Sequence, residues 1–91
     1  MTAIEVVSTF APSDGSAPRT ITIRISDMQH DADGLWSVAV DVIGFKTDDH
    51  VRIRGADWLN AIEGAAGFIR ALAGGKVKND GGTISPILLP S

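Results

Sequence analysis

Through the first part of the chain, apolar and polar residues alternate with a period of two, and beyond Gly55 the period lengthens to that of a helix. Residues 4–10 set Ile4, Val6 and Phe10 on one side and Glu5, Val7 and Thr9 on the other, which predicts a strand with one buried face. The alternation is strict over residues 19–26, where Ile21, Ile23 and Ile25 oppose Thr20, Thr22, Arg24 and Ser26. A third strand is predicted over 35–43, with Trp36, Val38, Val40 and Val42 facing the core and Ser37, Ala39 and Asp41 outside. In the fourth, Val51 and Ile53 alternate with His50, Arg52 and Arg54, and its pairing with the third can begin as early as Phe45.

Residues 57–73 carry the only long helical pattern. Trp58, Ile62, Ala65, Ile69, Leu72 and Ala73 fall together at 100° per residue, flanked by Leu59, Ala61, Ala66 and Phe68. Asp57 can accept from the unpaired N–H groups of the first turn, and Gly74-Gly75 offers the left-handed residue that ends a helix. The connecting segments are rich in turn formers: PSDGSAP at 12–18, DMQHDADG at 27–34 as a hairpin, and a second turn region at 44–49. After a polar stretch at 76–82 comes TISPILLP, apolar but broken by proline, whose residues 83–85 are compatible with a short edge strand.

Short connections favour neighbouring antiparallel strands. The expected fold is therefore α+β and two-layered, an antiparallel four-stranded β-meander packed against one C-terminal α-helix, with a short apolar tail. The 91 residues suit a single domain spanning the chain. With no cysteine there is no disulfide framework and no thiolate chemistry. Eleven carboxylates against eight basic residues, a net charge of −3, oppose nucleic-acid binding, and two Trp, three Phe and no Tyr provide little for base stacking. No apolar run reaches bilayer length and the N-terminal residues lack a signal-peptide pattern, so no membrane association and a cytoplasmic location are expected.

Candidate chemistry is sparse. His30-Asp31-Ala32-Asp33 and Asp48-Asp49-His50 combine imidazole with carboxylates, as a divalent cation site would. The clusters lie at opposite ends of the third strand, roughly 30 Å apart at strand rise, so they read as solvated turns and no metal or cofactor is predicted. Arg24, Arg52 and Arg54 share the outward sheet face, either to recognise an anion or, as the plainer reading has it, to pair with Asp41, Asp48 and Asp49. Gly-x-Ser-x-Gly, phosphate-loop and His-Glu-x-x-His patterns are all absent, so an enzyme is unsupported.

The feature that folding does not demand is a smooth strip on the helix, Asn60, Gly64, Gly67 and Ala71, since interior glycines cost about 1 kcal/mol each relative to alanine. It is either a tolerated exposed surface or a close-approach contact for another chain. Ile87-Leu88-Leu89 is a second candidate contact, covering either the domain's own core edge or a neighbouring subunit.

Residues 55–62, Gly-Ala-Asp-Trp-Leu-Asn-Ala-Ile, resemble the junction of a family of small uncharacterised bacterial domains, in which a Trp-bearing strand leads through Gly-x-Asp-x-x-Gln-Ala-Leu into an amphipathic helix. Asn60 replaces the Gln and Ile62 the Leu, and the resemblance runs from Trp36 through the helix. It implies a compact bacterial domain, some relatives being interaction or immunity-type proteins, and supplies no catalytic residue. The expected function is a non-enzymatic small protein-interaction domain whose partner is another protein or a second copy in a homodimer, with inhibition of a nuclease toxin as one form. The alternative is a small-molecule or metal-dependent enzyme with its site at a dimer interface. That reading needs a deep pocket where carboxylates converge on His30 or His50.

Overall fold

A computed structural model describes residues 4–85, apart from the side chain of Asp80. The fold is α+β: strands β1 (Ile4–Pro12), β2 (Arg19–His30), β3 (Trp36–Ile43) and β4 (Asp49–Gly55) are followed by helix α1 (Trp58–Asp80) and strand β5 (Gly82–Ser85). The first four strands form the expected antiparallel meander, and β5 adds a fifth strand beside β1, giving the order β4-β3-β2-β1-β5. A four-strand sheet was expected. The fifth forms because the helix leaves β4 at one edge of the sheet and delivers the chain to the other, where Gly82–Ser85 pairs antiparallel with Thr9–Pro12.

Strict alternation in β2 and β3 sets the register. Ile23 pairs with Val42 and Ile25 with Val40, so both rows of side chains face α1. Ile21, Val38, Val40 and Val42 are fully buried there with Phe10, while Ile23, Phe45 and Ile84 are nearly so. The helix meets this layer through alanines: Ala61, Ala65 and Ala73 are completely buried, while Phe68, Ile69, Leu72 and Val77 pack beside them. Small residues on the contact line let the helix axis sit close to the sheet, and the larger side chains then fill the flanks.

Three further differences have physical causes. First, α1 runs straight through Gly74-Gly75 to Asp80, a length of 23 residues. Both glycines are helical because the next turn is anchored: Val77 packs against the core, and Lys76 Nζ stands 3.5 Å from Asp49 Oδ2 and 5.9 Å from the Phe45 ring centroid. The helix ends instead at Gly81, whose φ of 71° and N–H bond to the Val77 carbonyl, 2.8 Å, close the last turn.

Second, β2 continues to His30, into what the sequence reads as a loop. A β-bulge makes this continuation: Ser26 pairs with Ala39 and Gln29 with Ser37, so β2 carries one extra residue against β3. Asp27 takes the bulge position at φ 54°, a conformation that aspartate tolerates better than most residues.

Third, Trp58 is 53% exposed although its helical angle points at the core. Gly55 at the end of β4 pairs with Trp36 at the start of β3, so the first helical turn starts past the strand ends and has no sheet beneath it. The Ile87-Leu88-Leu89 tail lies outside the described residues.

Candidate functional site

Residues 55–62 make a tight junction between β4 and α1. Gly55 is buried, and a Cβ there would lie 2.4 Å from the Ala61 nitrogen and 2.8 Å from Ala61 Cα, so the chain can fold back from β4 into α1 only with glycine at this point. Asp57, extended at φ −141°, accepts from the Asn60 N–H at 2.7 Å, and Asn60 Oδ1 in turn accepts from the Ala56 N–H at 3.0 Å. These reciprocal bonds satisfy donors at the helix start in the manner of a capping box. The motif behind the resemblance is thus a folding device. It also accounts for Asn60, one member of the predicted strip.

The other strip residues divide. A Cβ on Gly64 would meet Ile53 Cγ2 at 3.0 Å, so this margin of the helix lies against edge strand β4. Gly67 has open space around its Cα, and Ala71 is exposed one turn further on. Gly67 and Ala71 are the part of the strip on which a second surface has room to rest.

On the opposite side of the sheet, the predicted arginines do not converge. Glu5, Arg24, Asp41 and His50 form one cross-strand row through β1, β2, β3 and β4. Within it Arg24 Nη2 and Nε donate to Glu5 Oε2 at 2.6 and 2.9 Å, and His50 Nδ1 lies 2.7 Å from Asp41 Oδ1. Glu5 also holds Arg24 more firmly in its charged form, chiefly through that hydrogen bond. Arg52 reaches across to the bulge, pairing with the Asp27 carboxylate and donating to Ser37 Oγ at 2.9 Å and the Asp27 carbonyl at 3.2 Å. Arg54 sits 3.6 Å from Asp33 and 3.9 Å from Asp31 in the β2–β3 turn. Each guanidinium thus has its own carboxylate, but none is a partner expected from the sequence: Glu5, the Asp27 bulge and the Asp31/Asp33 hairpin supply them, while Asp41 lies against His50, Asp48 accepts from the Gly44 N–H and Asp49 faces Lys76.

His30 and His50 are likewise separated. His30 stacks on Trp36 with ring centroids 4.3 Å apart and planes 7° from parallel. Among the described residues, no three His, Asp or Glu side chains group closely enough to hold a metal ion. No helix there is long and apolar enough to cross a membrane.

A surface that sequence reasoning missed lies where the chain turns into the helix. Trp58 and Leu59 are 53% and 51% exposed, and the adjoining end of the sheet carries the His30–Trp36 stack, since Trp36 pairs with both His30 and Gly55. Asp31, Asp33 and Arg54 supply a charged rim at this same end. Adjacent tryptophan and leucine at a helix start were the available signal. Helical periodicity assigned them to the core because it does not show where the sheet stops. Comparison with protein-family models, with curated proteins and with solved structures returns no match, so the functional reading rests on this geometry alone.

Proposed function

We propose that this is a non-enzymatic protein-interaction domain whose contact surface is the helix-start end of the sheet, with Gly67 and Ala71 extending it along α1. The observation that carries this reading is the pair Trp58–Leu59, two adjacent large apolar side chains left half exposed where the chain leaves the sheet end that carries the stacked His30–Trp36 pair. Tryptophan with an apolar neighbour and a charged rim is the composition of interface hot spots, where a few desolvated side chains supply most of the binding energy. The paired charges of the outward sheet face offer less, since separated, solvated ion pairs are already satisfied within the chain.

The experiment is affinity capture with mass spectrometry from the source cell, using the native chain, Trp58→Ala, Gly67→Arg and Arg24→Ser side by side. A specific partner should be retained by Arg24→Ser, lost by Trp58→Ala and weakened by Gly67→Arg. Removal of a hot-spot side chain costs at least about 2 kcal/mol of binding, some thirtyfold in affinity. Trp58→Ala should unfold within about 1 kcal/mol of the native chain, because its side chain packs little. A partner captured equally by all four proteins would refute this surface.

A further inference from the structure

The sheet face turned away from α1 carries a charge order that is its own complement. Glu5, Arg24, Asp41 and His50 stand side by side on β1, β2, β3 and β4, so carboxylate, guanidinium, carboxylate and imidazole follow one another across four strands. Their side chains are 45%, 44%, 23% and 60% exposed. Among the described residues the internal pairs use only part of each group: Arg24 bonds Glu5 through Nε and Nη2, both on Oε2, and His50 meets Asp41 Oδ1 through Nδ1. Arg24 Nη1, Asp41 Oδ2, Glu5 Oε1 and His50 Nε2 can each take a second group. The rows on either side are uncharged on the two central strands. Thr22 pairs there with Ile43 and Ser26 with Ala39, all four half-buried.

We propose that a second copy of the chain occupies this face, packed sheet to sheet about a two-fold axis that runs along the strands between β2 and β3. Such an axis exchanges β2 with β3 and β1 with β4. Arg24 of each copy then faces Asp41 of the other, and Glu5 faces His50, so every carboxylate meets a nitrogen group. An axis running across the strands sets Glu5 on Glu5 and Arg24 on Arg24 instead, which like-charge repulsion opposes. The charge order thus selects one arrangement.

In that arrangement Thr22 lies over Ile43 and Ser26 over Ala39, so no charge is buried against an uncharged row at the centre. Packed sheets stand about 10 Å apart with their strands within about 30° of each other, a gap that guanidinium and carboxylate bridge from opposite sides. The pairs within each chain survive, because each group uses its second atom across the interface. A foreign surface finds these charges already satisfied, whereas a second copy offers the same order reversed and meets all four. The contact is separate from the helix-start end of the sheet, and its fate is independent of the function proposed above.

Sedimentation equilibrium tests it on the native chain, on Arg24→Asp, on Asp41→Arg and on an equimolar mixture of these two variants. The native protein should self-associate. Arg24→Asp sets carboxylate on carboxylate beside the axis and Asp41→Arg sets guanidinium on guanidinium, so each should weaken association at least about tenfold. In the mixture the two altered faces complement one another, and association should return. Trp58→Ala should leave it unchanged. Circular dichroism reports whether each variant folds. An isotope-filtered NOE between the Thr22 methyl of labelled chains and the Ile43 methyls of unlabelled ones checks the axis in the native protein, without any substitution. A monomeric native chain, association indifferent to the charge reversals or lost with Trp58→Ala, a mixture of folded variants that stays apart, or no Thr22–Ile43 contact between chains would each overturn the proposal.

Discussion

Gly55 shows how much a single residue settles. Its missing side chain admits the Asn60–Ala61 backbone at a distance that no Cβ permits, and the reciprocal bonds of Asp57 and Asn60 then hold the first helical turn. Gly55→Ala should lower stability by about 3 kcal/mol, because the obstacle is backbone and cannot rotate away; urea denaturation followed by tryptophan fluorescence measures it. Ser8 presents the reverse situation. It is fully buried on the helix-facing side of β1, and its hydroxyl has no hydrogen-bond partner among the described residues. Ser8→Ala removes an unsatisfied polar group at little cost in volume, so a gain of about 1 kcal/mol is expected in the same assay. Alternation along residues 4–10 marks the side on which Ser8 lies, but a serine on an apolar face carries no local sign of whether its hydroxyl will find a partner.

At the scale of elements, α1 is a helix held by its contacts more than by its composition. Gly74 and Gly75 interrupt a helical pattern, yet the helix continues because Lys76 and Val77 beyond them are anchored to Asp49, Phe45 and the core. A Cβ at either glycine meets nothing within 4 Å. Gly74→Ala and Gly75→Ala should each raise stability by about 0.5 to 1 kcal/mol, seen as a higher thermal midpoint by circular dichroism. A loss of stability would mean that the helix breaks at this point. The choice between Gly74-Gly75 and Gly81-Gly82 as the helix end was not legible locally, since both pairs offer the same conformational freedom. What separates them is the anchoring of residues 76 and 77 against elements far away in sequence.

For the whole molecule, the bulge in β2 and its clamp join three strands. Arg52 on β4 spans β3 to hold Asp27 on β2 and donates to the buried Ser37 hydroxyl on the way. Arg52→Met should destabilise by about 1 kcal/mol, the pair itself being partly solvated, with a further contribution from the Ser37 hydroxyl left without its donor. Arg54→Met, whose contacts at 3.6 and 3.9 Å are long and exposed, should change stability by less than about 0.5 kcal/mol. Equal effects from the two variants, measured by thermal unfolding, would remove the clamp.

The sequence by itself determined which residues face the helix in the central strands, the existence of one long helix and its N-terminal cap. These follow from periods of two and 3.6 and from bonds between residues three or four apart, all of which are local. Only the tertiary structure decided that a fifth strand joins β1, that α1 passes through two glycines, and that Trp58 stands in the open past the end of the sheet. Each of these depends on where one element ends relative to another, and that is set by packing between segments distant in the chain.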